Sequence, residues 1–118
     1  MGEMKIVILE SPYAGDVEKN VEYAKKCALD SLNRGEAPML SHLLYTQFLD
    51  DTIPHERDLG INAGLAWRRV AECSVVYEDL GISRGMEYGI AAAREAGIPV
   101  EFRRLLEPNT RLCGEKGV

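Results

Sequence analysis

Cys73-Ser74-Val75-Val76-Tyr77, followed after a short loop by Ser83-Arg84-Gly85-Met86-Glu87-Tyr88-Gly89, is the stretch on which the fold turns. The first part is an unbroken apolar run with β-branched residues, the pattern of a strand in a parallel sheet. In the second, Gly85 and Gly89 bracket a single carboxylate where a strand hands over to a helix. A backbone of this kind lets a ligand approach closely at Gly85, and the helix N-terminus beyond it offers free N–H groups to an anion. Glu87 falls in the first helical turn and is expected to point toward whatever occupies the crevice. A carboxylate there can bind, act as a base or attack as a nucleophile.

Outward from this unit the same alternation repeats. Ile6-Val7-Ile8-Leu9 reads as a strand buried on both faces, ended by the turn residues Ser11-Pro12-Tyr13-Ala14-Gly15-Asp16. From Val17 to Asn33, apolar residues at Val17, Val21, Ala24, Ala28 and Leu32 keep helical spacing, and Asn33-Arg34-Gly35 is a helix stop. Ala37-Pro38-Met39-Leu40 reads as a short strand, and Ser41 to Asp51 as an irregular loop with a helical turn. Thr52 is a candidate cap for a helix with Pro54 in its first turn. Leu59, Ile61, Ala63, Leu65, Ala66 and Val70 predict that this helix is largely buried despite its two glycines. Met86 to Ala96 is an alanine-rich helix ending at Gly97, and Ile98 to Phe102 is a further strand.

Strands alternating with helices predict an α/β fold, a single-domain open parallel sheet of four to five strands with helices on both faces, flavodoxin- or Rossmann-like. The domain is expected to span residues 1–106, with 107–118 a loose tail rich in Gly and polar residues. In such sheets ligands bind at the carboxyl ends of the strands, here Glu10 to Tyr13, Leu40 to His42 and Glu78-Asp79.

Composition narrows the partners. The chain has 118 residues, 46% hydrophobic and 28% charged, with a net charge of -5, as befits one soluble globular domain. That acidic balance argues against a nucleic-acid polymer or an anionic membrane surface, either of which needs a basic patch. A mononucleotide is compatible, since one phosphate needs only a helix end and a hydroxyl or an Arg. Cys27, Cys73 and Cys113 are widely spaced and lack CxxC geometry, so they read as separate cytosolic thiols. Two histidines without cysteines at ligand spacing predict no metal site. The N-terminus runs directly into a strand, and no stretch approaches membrane-spanning length, so a cytoplasmic location is expected.

Each candidate site residue also has a plainer reading. The loop Ser11 to Asp16 lacks GxGxxG and GxxxxGK[ST], and Tyr13 there can simply pack. In His55-Glu56-Arg57-Asp58-Leu59 the acids can complement the helix dipole. Asp58 gains a function only if it faces the crevice of Glu87. Gly-x-Glu-x-Gly alone is a weak signal, because a glutamate in a first turn needs no function.

The order of these pieces is more specific. An SPY loop after strand one, then H-E-x-D-L, V-V-Y-E-D, S-x-G-M-E-Y-G and G-I-P-V resembles the nucleoside 2-deoxyribosyltransferase-like superfamily, including the 2′-deoxynucleoside 5′-phosphate N-hydrolases. The segment Ser41 to Asp51 is similar to one in small phage- or prophage-borne relatives, and the resemblance covers most of residues 5–103. It implies chemistry at the C1′–N glycosidic bond of a 2′-deoxynucleoside or its 5′-monophosphate. Glu87 matches the nucleophile and Asp58 the acid/base that assists the leaving base. Ser83 and Gly85 match residues that contact the phosphate or sugar. Ser11, Tyr13 and His42 would shape the substrate pocket, and Arg84 would pair with phosphate. The resemblance implies no cofactor, and a homodimer, since sites in the superfamily are completed across an interface.

Two positions depart from the family. Ile8-Leu9-Glu10 stands where the family has a Tyr near the end of strand one, Tyr13 lying later. Asp16 brings an acid where the hydrolases have a Gly- and Arg-rich phosphate loop. The alternative expectation is therefore a module that holds a nucleotide or nucleotide signal without turning it over.

Overall fold

The computed structural model describes residues 3–105. Its strands are β1 (Lys5–Glu10), β2 (Glu36–Met39), β3 (Cys73–Tyr77) and β4 (Val100–Arg103), and its helices α1 (Val17–Asn33), α2 (Ser41–Leu44), α3 (Pro54–Ala66) and α4 (Arg84–Glu95). Short 3-10 turns extend α2 over Tyr45–Gln47 and α3 over Trp67–Arg69. All strand pairings are parallel, in the order β2-β1-β3-β4. Val7 lies opposite Cys73, and Ser74 opposite Val100. This is the expected α/β open parallel sheet, at the four-strand end of the range.

Period-2 alternation divides the core into two layers. Val7, Leu9, Cys73, Val75 and Tyr77 point to one face and pack against Tyr23 and Cys27 of α1. Val76 points to the other and packs against Met86 and Ile90 of α4, with Val100 alongside. Helices therefore cover both faces. Gly35 at φ 88° and Gly97 at φ 77° take the left-handed conformation just beyond α1 and α4, as the sequence predicts for helix stops. Cys27 is a free, buried thiol whose pKa burial pushes up to about 12. Cys73 is disulfide-bonded, which corrects the expectation of three separate thiols.

Three further expectations are corrected. Strand β3 is buried along its whole length, but β1 is buried on only one face, with Ile6 40% exposed and Ile8 partly exposed. Helix α3 contains no fully buried residue, and Leu59 is 57% exposed. The cause is that α3 packs on the α2 segment instead of lying flat on the sheet. A Cβ at Gly64 would meet Ser41 Oγ at 2.8 Å, and one at Gly60 would meet Leu49 Cδ1 at 3.3 Å, so both glycines serve this close approach. Finally, Ile53 and not Thr52 precedes α3, and the Thr52 hydroxyl donates to Asp50 at 2.6 Å. Among the described residues no helix is long and apolar enough to cross a membrane. The tail expected from Glu107 onward lies outside them.

Beneath α1 lies a charged cluster. Arg103 donates through both terminal nitrogens to the two carboxylate oxygens of Glu36, at 2.8 and 2.7 Å, and both side chains are almost fully buried. Arg103 Nε donates to Glu101 at 2.6 Å, Ser31 Oγ donates to Glu36 at 2.7 Å, and Tyr77 OH donates to Asp30 at 2.6 Å. A paired, bidentate arrangement offsets the desolvation of both charges, whereas either one alone would be left buried and uncompensated. Glu36→Ala is therefore expected to lower the unfolding free energy by about 3–5 kcal/mol, measured by denaturant titration. A loss below about 1 kcal/mol would show that the cluster is incidental to the fold.

Candidate functional site

Because β1 is covered on one face only and α3 stands away from the sheet, a cavity of about 1060 Å³ opens between them. Its floor is Ile8, Glu10 and Ser74 on the strands, and one wall is α4 from its N-cap to Ala93. The opposite wall is α3 with the α2 segment, and Ser11, Tyr13 and Ala14 close one end. The volume lies slightly above the usual range of small-molecule sites.

Every site residue singled out from the sequence lines this one cavity: Ser11, Tyr13, His42, Asp58, Ser83, Arg84, Gly85 and Glu87. They come from four different segments. Ser83 caps α4, its Oγ accepting from Met86 N at 3.3 Å, so that hydroxyl already has a local task. Gly85 presents open space: a Cβ there would meet nothing closer than Ser83 Oγ at 4.0 Å. The first N–H groups of α4 thus face a clear approach. Glu87 and Asp58 are both exposed, on the α4 and α3 walls respectively.

The loop after β1 is held from behind. Asn20 Nδ2 donates to Tyr13 O at 3.0 Å and Ala14 O at 3.1 Å. Asp16 caps α1, accepting from Lys19 N at 3.2 Å, which is why an acid stands there. Ser11 Oγ and His42 Nε2 are hydrogen-bonded at 2.7 Å, and the Tyr13 ring stands edge-on to His42 with centroids 6.5 Å apart. Burial pushes the His42 imidazole down to about 4, so it is neutral at physiological pH. Other acids near the strand ends serve structure. Asp79 accepts from Tyr23 OH and from Leu105 N, and Glu56 accepts from Asp50 N at 2.9 Å.

Glu10 is the residue that sequence reasoning passed over as a candidate, seeing it only as a strand end. Its carboxyl lies on the cavity floor against α4, so close that a Cβ at Gly89 would overlap its Oε2 and come within 2.7 Å of Cδ. No described residue gives this carboxyl a hydrogen bond or an ion pair. Burial alone pushes its pKa from 4.5 up to about 8. The available signal was a lone acid closing an apolar strand, but its contact with a glycine of a distant helix exists only in three dimensions. Among the described residues no group of three or more His, Cys, Asp or Glu side chains could hold a metal ion.

The two glycines of α4 should respond oppositely to substitution. Gly85→Ala is expected to stabilise by up to about 1 kcal/mol, the usual gain in helix propensity. Gly89→Ala meets Glu10 and is expected to destabilise, with the loss relieved in a Glu10→Ala/Gly89→Ala double variant; thermal melts in a double-mutant cycle measure this. The titrating groups set a pH dependence. Between pH 4.5 and about 8 the folded state keeps the Glu10 proton that the unfolded chain releases, so stability falls as pH rises through that window. For His42 the unfolded chain binds the proton first, so stability falls as pH drops from 6.5 to about 4. Glu10→Gln is expected to stabilise the fold at about pH 8 by at least roughly 1.4 kcal/mol, and to be near neutral at about pH 4. Equal shifts at both pH values would contradict a buried, protonated Glu10.

No curated protein and no solved structure matches this chain. A family model does match, over residues 5–103, and that span includes every described strand and helix and all the residues that line the cavity. The chain is a member of the family described as a domain of unknown function, DUF7768.

Proposed function

We propose that this domain acts on the N-glycosidic bond of a 2′-deoxynucleoside or its 5′-monophosphate, by hydrolysis or by transfer of the deoxyribosyl group. The supporting observation is the convergence of Glu87, Asp58 and the open N-terminus of α4 on one cavity. The Glu87 carboxylate attacks C1′ as the C1′–N bond breaks, and the bonding electron pair leaves with the base. Asp58 delivers a proton to that base. Water, or a second base in a transfer, then attacks C1′ and gives up its proton to Asp58, while the C1′–O ester bond breaks and its electron pair returns to the Glu87 carboxylate. The transition state carries oxocarbenium character, which a carboxylate at C1′ stabilises. Gly85 and the first N–H groups of α4 receive a 5′-phosphate, with Arg84 beside them. The site is taken to need no cofactor, and a second copy of the chain is taken to complete it. The exposed apolar residues Leu44, Phe48, Ile53 and Leu59 around α2 and α3 suit such a contact.

A binding module is the second reading, and one observation favours it: both Glu87 and Asp58 are exposed, whereas glycosidic chemistry works best with water excluded. Incubation with the four deoxynucleosides and their 5′-monophosphates, with free base read by chromatography, separates the two. Base release by the wild type should fall by about 10³-fold or more in Glu87→Ala and by roughly 10²-fold or more in Asp58→Asn. No release, together with a thermal shift from one nucleotide of about 2.7 kcal/mol at a hundred times its Kd, would establish the binding module.

A further inference from the structure

The Glu10 carboxyl is polar, sunk into the cavity floor, and without a partner among the described residues. Part of its surface stays open to the cavity, so a hydrogen-bonding group of a bound ligand can reach it. The backbone of α4 is shaped to admit it, since any residue but glycine at position 89 would displace the carboxyl. Three other polar groups of the site already have partners. Ser11 and His42 bond each other, and Ser83 caps α4. Asp58 and Glu87 stand on the exposed rim with Arg84, toward the sugar and phosphate in the proposed reaction.

We propose that Glu10 reads the nucleobase, donating one hydrogen bond to it and accepting another from an edge that sets an acceptor beside an N–H donor. The inference rests on the nucleotide reading of the cavity and adds the group that would hold the base. A carboxylic acid offers one O–H donor beside one carbonyl acceptor, which complements the acceptor–donor edge of adenine or cytosine in a bidentate pair. A carboxylate is acceptor-only and would lose the bond to the base's acceptor. Desolvation keeps the protonated form up to about pH 8. The charged groups that line the cavity with Glu10 are Arg84 and Glu87 on α4, and Asp51, Glu56, Arg57, Asp58 and Arg68 on the α3 side. No ion pair joins any of them to Glu10. His42 on α2 is neutral throughout this range.

Calorimetric titration of the Glu87→Ala protein, which leaves substrate intact, tests this with the adenine and cytosine deoxynucleoside 5′-monophosphates and with deoxyribose 5-phosphate. At about pH 6.5 and about pH 9.5, on either side of the Glu10 pKa of about 8, the nucleotides should bind roughly tenfold more tightly at the lower pH. Adding Glu10→Gln, whose amide offers the same donor and acceptor, should keep the tight binding and remove that extra pH dependence. Adding Glu10→Ala should weaken nucleotide binding about tenfold at the lower pH. Deoxyribose 5-phosphate should bind alike in all three proteins, and it corrects for titration of the phosphate. Nucleotide affinity indifferent to Glu10→Ala, or an equal loss for nucleotide and sugar phosphate, would overturn base reading by Glu10 while leaving a nucleotide site. No binding by any of the probes would overturn the nucleotide reading itself, and this inference with it.

Discussion

The buried Glu36–Arg103 pair is the constraint around which the rest of the molecule is arranged. It joins the first residue of β2 to the last residue of β4, and Tyr77, Ser31 and Asp30 tie it to β3 and α1. With both ends fully desolvated, the pair tolerates little displacement, because a small opening would leave a charge buried without its partner. Its consequence is asymmetry. One face of the sheet is sealed by α1 through apolar packing and this charged cluster, while the other carries a smaller core under α4 alone.

The asymmetry creates the cavity. Gly60 and Gly64 let α3 press against the α2 segment, and the face of β1 that α3 would otherwise cover is left as a floor. A strand with an unbroken apolar run then has one face buried and the other lining a ligand-sized space. The same geometry leaves Leu59 and Phe48 exposed. Packing that looks incomplete as a core is coherent as a site. The polar groups on its walls come from the loop after β1, from α2, from α3 and from the first turns of α4.

Around that space the acids divide by environment. Asp16, Glu56 and Asp79 are absorbed by capping and loop hydrogen bonds, so these three acids are structural. Glu87 and Asp58 remain exposed on opposite walls, and Glu10 lies below them without a partner among the described residues. Desolvation raises the Glu10 pKa to about 8, a cost that an apolar residue at this position would not carry. Perturbed acids of this kind cluster at ligand sites.

Much of the fold was legible from local signals. Helix α1 matches the residues its periodicity marks, β3 coincides with the run Cys73 to Tyr77, and Gly35 and Gly97 end their helices as their chemistry dictates. These are properties of neighbours in the chain: side-chain spacing, backbone freedom and turn chemistry act over a few residues. The apolar content of α3 and β1 was equally visible, but it misled, because hydrophobic character says that a face needs cover and not what covers it. Whether Asp58 and Glu87 share a cavity, whether Glu36 meets Arg103, and whether Gly89 makes room for Glu10 depend on how distant segments are brought together. Local sequence determined the elements and the residues worth suspecting. The tertiary structure alone decided which of those residues meet, because such contacts are set by packing across the sheet and between helices far apart in the chain.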